Sequence, residues 1–123
     1  MNYSPDSRVL LVDDDTIFTD VMARGFRRRG FEVLACDSAA AALAACETFR
    51  PSHIVLDLNR PRTSGLVALP GLLEAAPGAS LVELTGYSSI APAVAATKAG
   101  AHNYLCKPAT IEQVLEAFGT PAE

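Results

Sequence analysis

Short apolar runs that end in polar or charged residues recur along this chain, separated by stretches with helical spacing. Val9-Leu10-Leu11-Val12 is continuous and closes on Asp13-Asp14-Asp15, the pattern of a strand covered on both faces. Asp15 or Thr16 caps the next stretch, in which Ile17, Val21, Met22 and Phe26 recur at helical intervals until Gly30 stops it. Phe31 to Cys36 reads as a second strand, and Asp37 or Ser38 caps an alanine-rich helix running to about Phe49. Pro51 breaks the chain before a third strand, His53 to Leu58, and a loop from Asn59 to Gly65. The helical stretch from Leu66 to Ala76 contains Pro70 and Gly71, so a short or kinked helix is expected there. Ser80 to Thr85 is the fourth strand. A helix from Ile90 to Ala99 follows, capped by Ser88 or Ser89, with Pro92 in its first turn and Gly100 at its end. Asn103 to Cys106 makes a fifth strand, and Thr110 caps a final helix from Ile111 to Phe118. Five strands alternating with five helices through short connections predict an α/β, doubly wound parallel sheet with right-handed crossovers.

Such a sheet places ligands outside the carboxyl ends of its strands. Asp13 and Asp14, Asp57, Thr85-Gly86 and Lys107-Pro108 all lie where a predicted strand ends, so they share one edge. In the flavodoxin-like strand order 2-1-3-4-5, strands one and three are neighbours and their acids converge. Three carboxylates a few ångströms apart do not all stay ionised without a cation or a raised pKa. A hard divalent ion relieves the repulsion, and Mg²⁺ suits best because it accepts one or two carboxylates, waters and a phosphoryl oxygen. With its charge screened, a carboxylate oxygen of Asp57 can attack an activated phosphorus in line and form an acyl phosphate. The Lys107 ammonium and the Thr85 hydroxyl would then stabilise the phosphoryl oxygens. A cis bond at Lys107-Pro108 would aim the lysine inward. Each residue has an ordinary explanation alone: Asp13 to Asp15 as a helix cap, Asp57 as a strand end, Thr85 as a turn hydroxyl, Lys107 as a surface lysine. Their joint occurrence in the right strand order favours the site.

Composition narrows the classes. At 123 residues and half apolar, the chain is read as one domain with a sizeable core. No charge-free stretch reaches eighteen residues and the N-terminus lacks a secretory h-region, so a cytoplasmic location is expected. A net charge of −4 makes direct nucleic-acid binding a poor expectation. The basic run Arg24 to Arg29 reads as the solvated face and C-terminal end of the first helix. Cys36, Cys46 and Cys106 lack metal-ligand spacing and read as buried or neutral thiols.

The residues together resemble a family. Leu10-Leu11-Val12-Asp13-Asp14-Asp15, Asp57-Leu58 with Ser64-Gly65-Leu66, Leu84-Thr85-Gly86-Tyr87 and Tyr104-Leu105-Cys106-Lys107-Pro108-Ala109 are similar to the receiver (CheY-like) domain of bacterial two-component response regulators. The likeness spans Ser7 to Phe118, leaving residues 119–123 as a tail or the start of a severed linker. Twenty-eight residues separate Asp57 from Thr85 and twenty-two more reach Lys107. Ile90-Ala91, Ala93-Val94 and Lys98-Ala99-Gly100-Ala101 extend the likeness toward regulators of the RegA/PrrA/ActR type and NtrC-like receivers.

The resemblance implies a role for each matching position. Asp57 would be both the phosphoacceptor and a Mg²⁺ ligand, Asp14 a direct Mg²⁺ ligand, Asp13 a ligand largely through water, and Asn59 a ligand through its backbone carbonyl. Thr85 would be the switch hydroxyl, Lys107 the phosphate-bound lysine and Tyr104 the aromatic that turns inward on activation. Asn59 and Tyr87, next to Gly86, sit where hydrolysis of the acyl phosphate is tuned. The implied phosphodonor is a sensor histidine kinase or phosphotransfer protein. The implied output is a changed surface, dimerising through the fourth helix, fifth strand and fifth helix, the chain being either a stand-alone receiver or a piece of a longer regulator whose effector domain lies outside the 123 residues. The domain would phosphorylate and dephosphorylate itself without acting on external substrates.

Some positions depart from the pattern. Arg60 replaces a usual apolar residue and is expected to point to solvent. Glu83 stands where Val or Ile is usual, so partial exposure, pairing or protonation is expected. Two other readings compete. One is a degenerate receiver that docks partners without phosphate. The other is a haloacid-dehalogenase-type phosphatase with Asp13 as nucleophile and Asp15 as acid, though Phe18 interrupts that motif and a cap domain is missing.

Overall fold

The computed structural model describes residues 7–57, 65–85, 103–106 and 110–118. Five parallel strands, β1 (Arg8–Val12), β2 (Glu32–Cys36), β3 (His53–Asp57), β4 (Ser80–Thr85) and β5 (Asn103–Cys106), form one sheet in the order β2-β1-β3-β4-β5. Helices α1 (Thr16–Arg28), α2 (Ala39–Phe49) and α3 (Gly65–Ala75) and a C-terminal helix (Ile111–Phe118) cover its two faces. The expected CheY-like, doubly wound sheet is therefore the fold of this chain. The helix expected over residues 90–99 lies outside the described residues.

Alternation along the strands sorts side chains into two cores. Leu10, Val12, Ile54, Leu56 and Leu81 meet Ala42 and Cys46 of α2 and Leu72 of α3. Val9, Leu11, Val55, Val82 and Leu84 meet Met22, Ala23 and Phe26 of α1 and Val114 and Phe118 of the C-terminal helix. Both faces of the central strands are buried, which is why their sequences are unbroken apolar runs.

The helix ends are set by local hydrogen bonds. Asp15 is the cap of α1, its Oδ1 accepting from Phe18 N at 3.1 Å. At the other end, Phe31 N donates to Phe26 O and Gly30 N to Arg27 O, both at 3.1 Å, with Gly30 at φ 92°. This is a Schellman turn, and its apolar clasp is the edge-to-face pair of Phe26 and Phe31, 5.1 Å between centroids. Phe31 thereby belongs to the turn, and β2 begins one residue later than expected. Ser38 caps α2 by accepting from Ala41 N at 3.1 Å. The C-terminal helix opens with a reciprocal capping box. Gln113 N donates to Thr110 Oγ1 at 3.1 Å, and Thr110 N donates to Gln113 Oε1 at 2.9 Å.

One expectation is corrected, and two that left alternatives open are narrowed. The buried stripe of α1 is Thr19, Met22, Ala23 and Phe26, while Ile17 and Val21 are 78% and 63% exposed. They lie on the opposite side of a 3.6-residue helix from that stripe. Helix α3 is not short: it runs eleven residues through Pro70. It is held by packing on α2, where a Cβ on Gly71 would come within 3.2 Å of Leu43. Glu83 is not partly exposed but fully buried, at 0%. The arginine run behaves as expected: Arg24, Arg27 and Arg28 are exposed, and Arg29 bonds Glu112 at 2.7 Å.

Candidate functional site

Register builds the site. β1 and β3 are adjacent and pair through Val12 and Leu56, so the next residues on each strand, Asp13 and Asp57, leave the sheet side by side. On the other flank Asp57 is level with Leu84, one residue before Thr85, and Thr85 is level with Cys106, one residue before Lys107. The strand ends that carry Asp13, Asp57, Thr85 and Cys106 thus lie along one edge, in the order the chain topology dictates.

The three consecutive acids have separate surroundings. Asp13 is almost fully buried, at 4% exposure. Its backbone N–H extends the β1–β2 ladder to Cys36 O at 3.0 Å, and its Oδ1 accepts from Asp15 N at 2.9 Å. That local bond folds the chain back over the strand end and holds the carboxylate in the edge. Asp14 is exposed. Asp15 is committed to capping α1, which leaves it poorly placed as the acid of a phosphatase pair. A cavity of about 360 Å³ adjoins Asp13, lined by Thr16, Thr19, Cys36, Asp37 and Ala41. A second cavity, of about 620 Å³, lies elsewhere, between α1 and the C-terminal helix.

Asp57, Thr85 and Tyr104 are placed by their backbones, and Asn59, Arg60, Gly86, Tyr87 and Lys107 lie outside the described residues. Among the described residues no three His, Cys, Asp or Glu side chains gather as a metal cluster. The donor chemistry of Asp13 and Asp14 nevertheless fits a hard, oxygen-seeking divalent cation, with carboxylates the natural ligands. The thiols do not enter this chemistry. Burial pushes the Cys36 thiol up, reinforced by Asp37 and Cys46, and burial alone pushes Cys46 up, so both stay protonated. Among the described residues, no helix is long and apolar enough to cross a membrane.

Comparison with known proteins agrees with this geometry. The response regulator receiver domain family matches residues 9–119, and the chain belongs to that family. Two relatives make the kinship more particular. Over 93% of its length the chain is 41% identical to the acid tolerance regulatory protein ActR of Rhizobium meliloti (strain 1021), covering 59% of that protein. It is 40% identical over 92% of its length to the photosynthetic apparatus regulatory protein RegA of Rhodobacter capsulatus, covering 61% of it. The chain thus spans about three-fifths of the length of these relatives. A response regulator from Burkholderia pseudomallei, solved with a phosphorylated aspartic acid, a calcium ion and citrate, superposes with a TM-score of 0.87 at 39% identity. That match covers 93% of this chain and 67% of that one. A CheY-like receiver domain from Methanospirillum hungatei JF-1 gives 0.82 at 31% identity, covering 89% of this chain and 88% of that one. The chain is a receiver domain of the two-component class, and the resemblance to RegA- and ActR-type regulators is borne out.

Proposed function

We propose that this domain accepts a phosphoryl group on Asp57 from the phosphohistidine of a sensor histidine kinase or phosphotransfer protein. A carboxylate oxygen of Asp57 attacks phosphorus as the P–N bond to the imidazole breaks, and the imidazole recovers a proton from solvent. Asp13, Asp14, Asp57 and the Asn59 carbonyl would hold Mg²⁺, which would supply charge screening at the phosphoryl oxygens. Lys107 and Thr85 take the remaining oxygens. Thr85 and Tyr104 form the switch, biasing a two-state equilibrium of the surface around β5. The output is dimerisation or docking through that surface. Tyr87 would shield the acyl phosphate from water.

The observation that carries this reading is the β1–β3–β4 register, which brings the strand ends of Asp13, Asp57 and Thr85 to one edge, where the Asp13 carboxylate is buried. Incubation with ³²P-labelled acetyl phosphate tests it. Label that needs Mg²⁺, is released by hydroxylamine as acyl phosphates are, and maps to the Asp57 peptide supports the proposal. No label would favour a domain that docks without phosphate.

A further inference from the structure

Glu83 is the single ionisable residue of β4 and is fully buried. Strand alternation places it on the face that Leu81 shares with Leu56, Leu10 and Val12. Level with it are Leu56 on β3 and Tyr104 on β5. Two positions further along the same face, β4 ends at Thr85. Its own chain neighbours, Val82 and Leu84, belong to the opposite core. An aliphatic side chain at 83 would join the core at no electrostatic cost, whereas a carboxyl carries a large desolvation penalty unless it is hydrogen-bonded or paired. The register sets beside it a residue whose side chain ends in a hydroxyl donor, on a strand about 4.8 Å away.

We propose that Glu83 is a positioning residue for the switch: its carboxyl accepts a hydrogen bond from the Tyr104 hydroxyl when that ring turns inward. The bond favours the active form, so this receiver responds more fully to phosphate than one with an aliphatic residue at 83. This rests on the reading of Thr85 and Tyr104 as the switch pair. It adds to that reading a partner for the tyrosine's polar end.

Beryllofluoride with Mg²⁺ mimics the phosphoryl group, and its affinity reports the switch equilibrium. In protein labelled with 3-fluorotyrosine, the ¹⁹F signal of Tyr104 reports the ring directly. Tyr104→Phe is expected to weaken beryllofluoride binding about tenfold, within the usual range of allosteric coupling. Glu83→Val is expected to match that loss. Glu83→Gln keeps an acceptor and retains affinity within about threefold of wild type. The double variant Glu83→Val/Tyr104→Phe loses no more than either single one. Wild-type affinity in Tyr104→Phe, or losses that add in the double variant, would overturn the proposal. A wild type that binds beryllofluoride while Glu83→Val binds equally and shows the same ¹⁹F shift sinks the role of Glu83 alone. A wild type that does not bind it removes the receiver reading of the pocket, and this inference with it. If Glu83→Val does not fold, Tyr104→Phe and Glu83→Gln still decide.

Discussion

His53 gives the fold a built-in sensitivity to acid. It opens β3 at the edge opposite the acids, with its ring edge-on to Phe31 at 5.4 Å and Phe118 at 4.7 Å between centroids. Ser52 Oγ accepts from Arg8 N at 2.9 Å, donates to Arg8 O at 3.1 Å and lies 2.8 Å from His53 Nδ1. That set is satisfied when Nδ1–H of a neutral imidazole donates to Ser52. Burial lowers the His53 pKa from 6.5 to about 4. The folded state therefore resists protonation while the unfolded chain accepts it, so the unfolded state binds more protons between those two values. Above pH 6.5 the group leaves stability unaffected. As pH falls from 6.5 toward 4 stability is lost, and below about 4 the loss is complete. The full shift corresponds to about 3 kcal/mol, and the partial exposure of the ring reduces this to about 2 kcal/mol. Urea unfolding of wild type and His53→Leu at several pH values from 7.5 to 4 isolates the effect, because the carboxylates common to both cancel in the difference. The stability of wild type relative to His53→Leu should fall by that amount as pH falls, with the His53 Hε1 resonance titrating near 4 in the folded protein. A flat difference, or a His53 titration near 6.5, would refute the reasoning.

Other consequences follow from the packing. Phe26 is fully buried against Phe31 and Phe118, so Phe26→Ala should cost about 3–5 kcal/mol in chemical denaturation. Gly30→Ala places a side chain at φ 92° in the Schellman turn and should cost about 1 kcal/mol, although the space around it is open. A double-mutant cycle on Arg29 and Glu112 should give a coupling below about 1 kcal/mol that fades with added salt; coupling that persists at high salt would contradict a solvent-facing pair.

Much of the architecture is legible because strands buried on both faces are short apolar runs, and in an α/β chain each run points to the site edge. β4, β5 and the C-terminal helix begin and end where Ser80, Thr85, Asn103, Cys106 and the Thr110 cap predict. What residue type alone misassigns is phase. Ile17 and Val21 are apolar and helically spaced, yet the buried side of α1 follows Thr19 and Ala23, whose small side chains permit close approach to the sheet. The division of labour among the acids is likewise set in three dimensions. Only the hydrogen bond to Phe18 N assigns Asp15 to the cap, and only the bond from Asp15 N turns Asp13 into a buried group. Glu83 shows the opposite limit: its identity marks it as unusual in an apolar strand, but its depth and its place level with Tyr104 follow from register.

The central claim is that the acid-lined edge makes Asp57 a metal-dependent phosphoacceptor. Intact mass of wild type and Asp57→Asn after exposure to acetyl phosphate, with Mg²⁺ and with chelator, tests it most directly. The account predicts one added phosphoryl group in wild type with Mg²⁺, and none with chelator or in Asp57→Asn. Addition to the variant, addition without metal, or no addition to wild type under any condition would contradict it.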